Sequence, residues 1–335
     1  MITAYTLNMA KRVLSGIRTS GELHLGNYLG ALQQFVELQD EYDGYFFLAD
    51  LHGLTTVQDP AALKRSIRST ANVYLACGLD PQRATFFRQS DIPAHSEMAW
   101  LLTTLSTMGE FSRMTQYKDK TQGSEQESIG VGLFTYPALM AGDILLYEPD
   151  LVPVGDDQKQ HVEITRDLAG RFNHRFGVTL KIPEPLIRSD GARIKGLDDP
   201  AKKMSKSASS ALNYIAFSDD ADTIRDKVKR AVTDSGSEVK AGEDKPALTN
   251  LLNIHSLLTG TSVSDLESEF SDKGYGDYKV ALAEVIVESL APIQAKLSEY
   301  EADPGEVDKI LAAGADKARP VAEVTLAKAK SAMGL

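Results

Sequence analysis

The chain has 335 residues, room for one large or two medium domains, and its 42% hydrophobic and 25% charged residues are ordinary for a soluble globular protein. Its net charge of −11, from 36 basic and 47 acidic residues, argues against a general nucleic-acid or DNA binder. The single cysteine, Cys77, excludes an intramolecular disulfide framework and a cysteine-cluster metal site, and no apolar run reaches the roughly 18 to 20 residues that span a bilayer. The first eleven residues are too short and too polar for a signal peptide, so the expected setting is a reducing cytoplasm with no membrane contact.

In chain order, residues 1–8 read as a disordered extension and 12–17 as a short buried strand. A small-residue turn follows, and the apolar spacing from Tyr28 to Leu38 predicts a helix. Residues 44–50 read as a second strand, and Asp59-Pro60 opens a helix with an Asp cap and Pro in the first turn. Residues 71–79 form a helix stopped by Gly78, with Cys77 in the core, and 84–89 a third strand. Residues 95–114 read as one apolar helix holding Trp100, with a face suited to oligomerisation. Residues 117–132 read as a mobile polar loop, 140–146 as an apolar helical segment enclosing Asp143, and 150–154 as a strand. This alternation predicts a doubly wound, Rossmann-like parallel sheet with helices on both faces. After residue 210 the strand signals stop. Helices are expected over 221–232, 248–258, 263–270, 278–300 and 306–333, with Pro292 kinking or dividing the fourth.

Two short motifs carry chemistry. The turn from Arg18 to Asn27 runs from a strand into a helix, a geometry that points backbone N–H groups and the positive helix end at an anion. Gly26 permits close approach of a ligand, and His24 and Asn27, three apart, can face one phosphate. Far along the chain, Lys203-Met204-Ser205-Lys206-Ser207, preceded by Lys202, forms a loop that can fold over a triphosphate and stabilise charge as a P–O bond breaks.

Together these motifs resemble the class I aminoacyl-tRNA synthetases, whose His-Leu/Ile-Gly-His/Asn element and Lys-Met-Ser-Lys-Ser loop grip ATP from two sides. Over nearly the whole chain the resemblance is to the bacterial-type tryptophanyl branch. It rests on residues 16–32, on 135–147, on 152–161, on Gly191-Ala192-Arg193-Ile194 and on 251–254. It implies tryptophan–tRNA ligation, with ATP, L-tryptophan and tRNA(Trp) as substrates and Mg²⁺ arriving on ATP, no protein metal cage, and a homodimer joined near residues 95–114. A catalytic domain over 1–207 would precede an all-α anticodon-binding region over 208–335, its last helix packing back on the first domain.

The resemblance also assigns the site. Asp143 receives the indole N–H, a donor with no acceptor capability. Tyr136 and Gln158 hold the ammonium group, Met140, Val152 and Val154 line the ring slot, and His52 and Gln116 complete the pocket. His24, Asn27, Lys203 and Lys206 are the catalytic set. ATP binding adds Arg18, Thr19, Ser20, Gly26, Gly155, Asp156, Asp157, Ile194, Met204, Ser205 and Ser207, with Gly155 and Asp156 at the ribose and Ile194 at the adenine.

Three positions depart from the family pattern: Thr19 replaces the usual Pro, Leu14 an aromatic of some members, and Ala208 the Asp that commonly follows the loop. The competing readings are a tyrosyl-tRNA synthetase, a nucleotidyltransferase of related fold, and a non-catalytic RNA-binding relative. The tryptophan-like segments around Asp143 and 152–161, the all-α second half and the retained motif residues argue against each in turn. Basic groups at 226–230 and at Lys317, Arg319, Lys328 and Lys330 could meet tRNA, though solvated helix faces are the commoner role of such groups.

Overall fold

The computed structural model describes residues 10–19, 23–56, 59–115, 117–118, 130–155, 159–187, 194–206, 208 and 210–335. The 1–8 extension, most of the 117–132 loop, and Ser20, Gln116, Asp156, Asp157, Gln158, 191–193 and Ser207 lie outside them.

Strands β1 (Arg12–Arg18), β2 (Asp43–Ala49), β3 (Thr85–Arg88), β4 (Leu151–Val154) and β5 (Glu184–Ile187) form a five-stranded parallel sheet in the order β3-β2-β1-β4-β5. Side chains alternate across a strand, so consecutive apolar residues fill two different cores. Val13, Phe46, Leu48 and Phe86 face one layer; Leu14, Tyr45, Phe47 and Phe87 face the other. Burial on both faces explains why these strands are apolar runs rather than alternating ones.

Between β1 and β2 the helical run comprises α1 (Leu25–Asn27), a π-helical turn over Tyr28–Leu32 and α2 (Gln33–Glu41). After β2 come α3 (Asp50–Gly53) and α4 (Pro60–Ala76), whose Asp59 cap accepts the Ala61 N–H at 2.9 Å. Gly78 closes α4 at φ +105°, a conformation other residues rarely adopt. The helix expected over 95–114 is divided into α5 (Ala94–Thr103) and α6 (Met108–Ser112). Thr107 causes the division. Its hydroxyl accepts the Glu110 N–H while Glu110 accepts the Thr107 N–H, a reciprocal cap that starts a new helix.

Helix α7 (Val131–Leu145) precedes β4, and α8 (Lys159–Phe176) joins β4 to β5. Neither α8 nor β5 is anticipated by the sequence reading, although Leu168, Ala169 and Phe172 of α8 are buried at helical spacing. Pro185 masks β5. It is tolerated because β5 is an edge strand, whose outward backbone needs no partner strand.

The rest of the chain is helical: α9 (Ala221–Arg230), α10 (Pro246–Thr259), α11 (Val263–Glu269), α12 (Tyr275–Ala302) and α13 (Pro304–Met333). Pro292 does not divide α12. It lies on the exposed face, where the carbonyl it frees can bond to water. Among the described residues, no helix is long and apolar enough to cross a membrane.

Helix α13 covers the other sheet edge. Ala315, Ala318, Ala322 and Leu326 enter the core shared by Leu14 and Phe87. A Cβ on Gly314 would stand 1.7 Å from the Phe86 carbonyl oxygen, so only glycine admits this contact. Gly314→Ala is therefore expected to destabilise the fold by about 1–3 kcal/mol in urea unfolding. Gly276→Ala in α12, where nothing stands within 4 Å, is expected to stabilise by about 0.5–1 kcal/mol. Equal effects at the two glycines would contradict the close contact.

Candidate functional site

The chain reverses direction across the sheet between β1 and β4, and in doubly wound folds ligands bind at that switch point, beyond the carboxyl ends of the strands. A cavity of about 340 Å³ lies there. Among its lining residues are Arg18 at the end of β1, His52 of α3, Tyr136, Met140 and Asp143 of α7, and Val152, Val154 and Gly155 of β4 and its continuation. Leu14 lines it too, where the family pattern has an aromatic in some members.

Asp143 is 1% exposed yet borders this cavity. Its Oδ1 accepts from Gln89 Nε2 at 2.6 Å and bonds His95 Nδ1 at 2.7 Å; its Oδ2 bonds His52 Nε2 at 2.8 Å. His95 Nε2 in turn meets the Tyr147 hydroxyl at 2.8 Å. Burial pushes the Asp143 carboxyl up, but the bonds from His52 and His95 outweigh it and hold the group down at about 2. Asp143 is thus a buried anion bordering the cavity.

Tyr136, also on α7, bonds His161 Nε2 through its hydroxyl at 2.9 Å. Burial raises its pKa to about 12, against the lowering charge of Arg18. The Arg18 guanidinium donates to the Thr55 and Thr56 hydroxyls at 2.8 and 2.7 Å. Its Nε is buried without a partner among the described residues, and burial lowers its pKa. Thr19 is not brought to the cavity. It is fully buried, its carbonyl accepts from Ser66 of α4, and its hydroxyl packs beside Gly53.

The second cluster joins the two motifs. The Asn27 side-chain oxygen accepts the His24 N–H at 3.0 Å, closing the turn. His24 is held down at about 4 by burial and by the charge of Lys203, so at neutral pH it is an uncharged donor or acceptor. Its Nδ1 has no partner among the described residues. A Cβ on Gly26 would press on both His24 and Met204 at 3.2 Å, so this glycine allows the loop to sit against the turn. An antiparallel bridge from His24 to Ala216 ties the turn to the chain beyond the loop.

The lysine loop is one arm of a short antiparallel pairing. Met204 donates to Ile194 and Gly196 to Lys202, both at 3.0 Å, and Lys195 stands opposite Lys203. Ile194 and Met204 are buried, and Lys203 and Lys206 are exposed. Lys202 instead pairs with Asp199 at 3.0 Å. Two buried asparagines fix the pairing. Asn213 accepts the Ser205 N–H at 2.9 Å and donates to Asp198, while Asn250 of α10 bonds both the N–H and the carbonyl of Lys195. Asn213 therefore anchors the loop that Ala208 leaves without its usual carboxylate.

The sequence reading gives no role to Gln89, His95, Tyr147, His161, Asn213 or Asn250. Gln89 stands just past the carboxyl end of β3, which was a positional signal. His95 and Asp143 are 48 residues apart, and no local pattern joins them.

Comparison with known proteins gives one family. The model of the class I tRNA synthetases (W and Y) matches residues 7–291. A tryptophan–tRNA ligase of Caldanaerobacter subterraneus subsp. tengcongensis is 52% identical over 97% of this chain and 98% of its own. The crystal structure of tryptophanyl-tRNA synthetase from Mycoplasma pneumoniae superposes with a TM-score of 0.89 at 42% identity, covering 98% of both chains. That from Campylobacter jejuni, complexed with ADP and tryptophan, gives 0.83 at 35% identity over 97% of this chain and 100% of its own.

The Asp143 network makes stability depend on pH. A carboxyl lowered from 3.8 to about 2 contributes stability above its unfolded pKa and loses it as pH falls through the folded value. The contribution is on the order of 2 kcal/mol at neutral pH. The stability difference between the native chain and Asp143→Asn is therefore expected to shrink between pH 4 and pH 2. A difference that stays constant across that window in urea titrations would contradict the ionised state.

Proposed function

This chain belongs to the class I tRNA synthetases (W and Y), and we propose that it activates L-tryptophan with ATP and transfers it to tRNA(Trp). The observation that carries this reading is Asp143, an ionised carboxylate beside an apolar slot lined by Met140, Val152 and Val154. An indole N–H fits it, because that group donates and cannot accept. Tyr136 and Gln158 take the substrate ammonium, and His52 and Gln116 close the pocket around the ring.

In the first step the tryptophan carboxylate attacks the α-phosphorus of ATP; the P–O bond to the β-phosphate breaks and pyrophosphate leaves. In the second the 2′-hydroxyl of the terminal tRNA ribose attacks the carbonyl of the adenylate, loses its proton, and AMP departs. Both nucleophiles come from substrates, so the protein's work is positioning and charge stabilisation. His24 and Asn27 hold phosphate oxygens, with the Asn27 amide nitrogen free of the bond that closes the turn. Gly26 admits the nucleotide, and Arg18 adds a cation at the cavity wall. Ser20, Gly155, Asp156 and Asp157 approach the ribose and phosphates, with Thr19 supporting the turn from behind. Ile194 and Met204 meet the adenine. Lys203 and Lys206, with Ser205 and Ser207, neutralise the departing pyrophosphate.

Mg²⁺ would travel on the ATP phosphates. Among the described residues no group of three or more His, Cys, Asp or Glu is placed to hold a metal ion. The division of labour is a catalytic segment over 1–207 and an anticodon-reading segment over 208–335, built on one shared hydrophobic cluster that runs from Val13 to Leu311. The setting is the cytoplasm, consistent with one buried thiol, Cys77. A second copy of the chain covers the surface near residues 95–114, where Trp100 and Met108 are 67% and 74% exposed.

Amino-acid-dependent ATP–pyrophosphate exchange tests the first step. Exchange is expected with tryptophan alone among the twenty amino acids, and exchange with tyrosine instead would overturn the pocket assignment. Lys206→Ala is expected to lower kcat for exchange by about 10²–10³ with tryptophan affinity little changed; unchanged turnover would remove Lys206 from the machinery. Light scattering is expected to give twice the chain mass of 36.4 kDa, and Trp100→Glu to give the single chain.

A further inference from the structure

A carboxylate has about four lone-pair sites. In Asp143 three are filled by protein donors: two on Oδ1, from Gln89 and His95, and one on Oδ2, from His52. Among the described residues no donor meets the remaining site, on Oδ2, and Asp143 lines the cavity. The state of this acceptor depends on a residue that itself lies outside the cavity lining. His95 is fully buried on α5, its ring packed against both Phe47 and Phe87 at centroid distances of 5.9 and 6.2 Å. Tyr147, also fully buried, keeps its proton because burial raises its pKa, with the Asp143 charge raising it further. The Asp143 carboxylate can only accept, so a His95 proton sits on Nδ1 facing it, and the Tyr147 hydroxyl meets the ring's other nitrogen, Nε2.

We propose that His95, locked by Tyr147, is the positioning residue that keeps Asp143 an oriented acceptor with one open site on Oδ2, and so makes an N–H on the substrate ring the group this pocket demands. The inference rests on the reading that Asp143 receives the indole. A structural network alone would be satisfied by closing all four sites within the protein. Here, among the described residues, the fourth is left without a donor in a side chain that lines the cavity, and the side chain of His52, which shares Oδ2, is 12% exposed. Selection then follows from cost: a ring lacking the N–H leaves a buried acceptor unpaired. Among the described residues the titratable groups around Asp143 are His52 from α3, His95 from α5 and Tyr147 beyond α7, with Tyr136 and Arg18 also lining the cavity. The His95 donor is one of the interactions that lower the Asp143 carboxyl against the raising effect of its burial.

The test uses the full chain with His95→Gln, His95→Leu, Tyr147→Phe and Asp143→Asn, each checked by thermal unfolding. Two quantities are compared from pH 5 to 9: KM for L-tryptophan in pyrophosphate exchange, and the inhibition constant of β-(benzothien-3-yl)alanine, in which sulfur replaces the ring N–H. His95→Leu is expected to raise KM about 10- to 100-fold with kcat little changed and the analogue's constant nearly unmoved. An acid limb is expected to enter the kcat/KM profile at a pH where the native chain has none. His95→Gln restores a donor and is expected to recover much of the loss, and Tyr147→Phe, the variant least prone to misfold, to show a smaller shift of the same kind. Parallel losses for both ligands, or an unmoved pH profile, would overturn the proposal. If Asp143→Asn also leaves the ratio of the two constants unchanged, the indole assignment itself fails; if Asp143→Asn changes it and the His95 and Tyr147 variants do not, only the positioning role falls.

Discussion

Burying a carboxylate costs several kcal/mol unless donors replace its water, and the sheet-bearing half of this molecule is arranged around supplying them to Asp143. The donors come from separate places: His52 from the helix after β2, Gln89 from the end of β3, His95 from α5. Each must arrive within hydrogen-bond reach at once, so β2, β3, α5 and α7 are fixed relative to one another by one anion. Asp50 adds a stitch between the same strand ends, its carboxylate accepting the N–H groups of Leu51 and Ser90 at 3.0 Å. The close packing of Gly142 against the Ala99 and His95 backbone seats α7 on α5. The cavity inherits its shape from these constraints.

The phosphate side is organised differently. The lysine loop is fastened through its backbone by Asn213, and the arm it pairs with by Asn250 at Lys195, which leaves the Lys203 and Lys206 side chains exposed. On the proposed reading, a rigid acceptor for the ring and exposed cations for the leaving group suit a reaction in which the amino acid must be selected before pyrophosphate departs. Asn250 also lies on α10, within the segment assigned to tRNA, so the arm that pairs with the loop is tied to the helical half. Lys227 of α9 adds a second connection. It pairs with Asp219 at 2.6 Å and lies over the Tyr214 ring, which packs 5.8 Å from His24.

Local signals in the sequence determine much of this protein. The apolar runs of β1 and β2, the Asp59-Pro60 helix start, the helical second half and the two motifs are each set by residues close together in the chain. Their neighbours suffice to define the spacing, the cap or the loop. Family likeness extends that reading to Asp143 and the ring slot. Local signals fail where they conflict with context. Pro185 argues against a strand that the sheet edge tolerates, Pro292 against a helix that solvent sustains, and Thr107 starts a helix inside an apolar stretch that reads as continuous.

Tertiary structure alone decides the chemistry of the groups. Whether Asp143 is an ionised acceptor, how many of its lone pairs are taken, and which proton His95 carries depend on partners up to 91 residues away in sequence. The same holds for Gly314, whose necessity comes from the carbonyl of Phe86 on a distant strand. Sequence fixes which groups exist and which face of an element they share. Burial and hydrogen-bond partners set their charge, and those are properties of the packed fold.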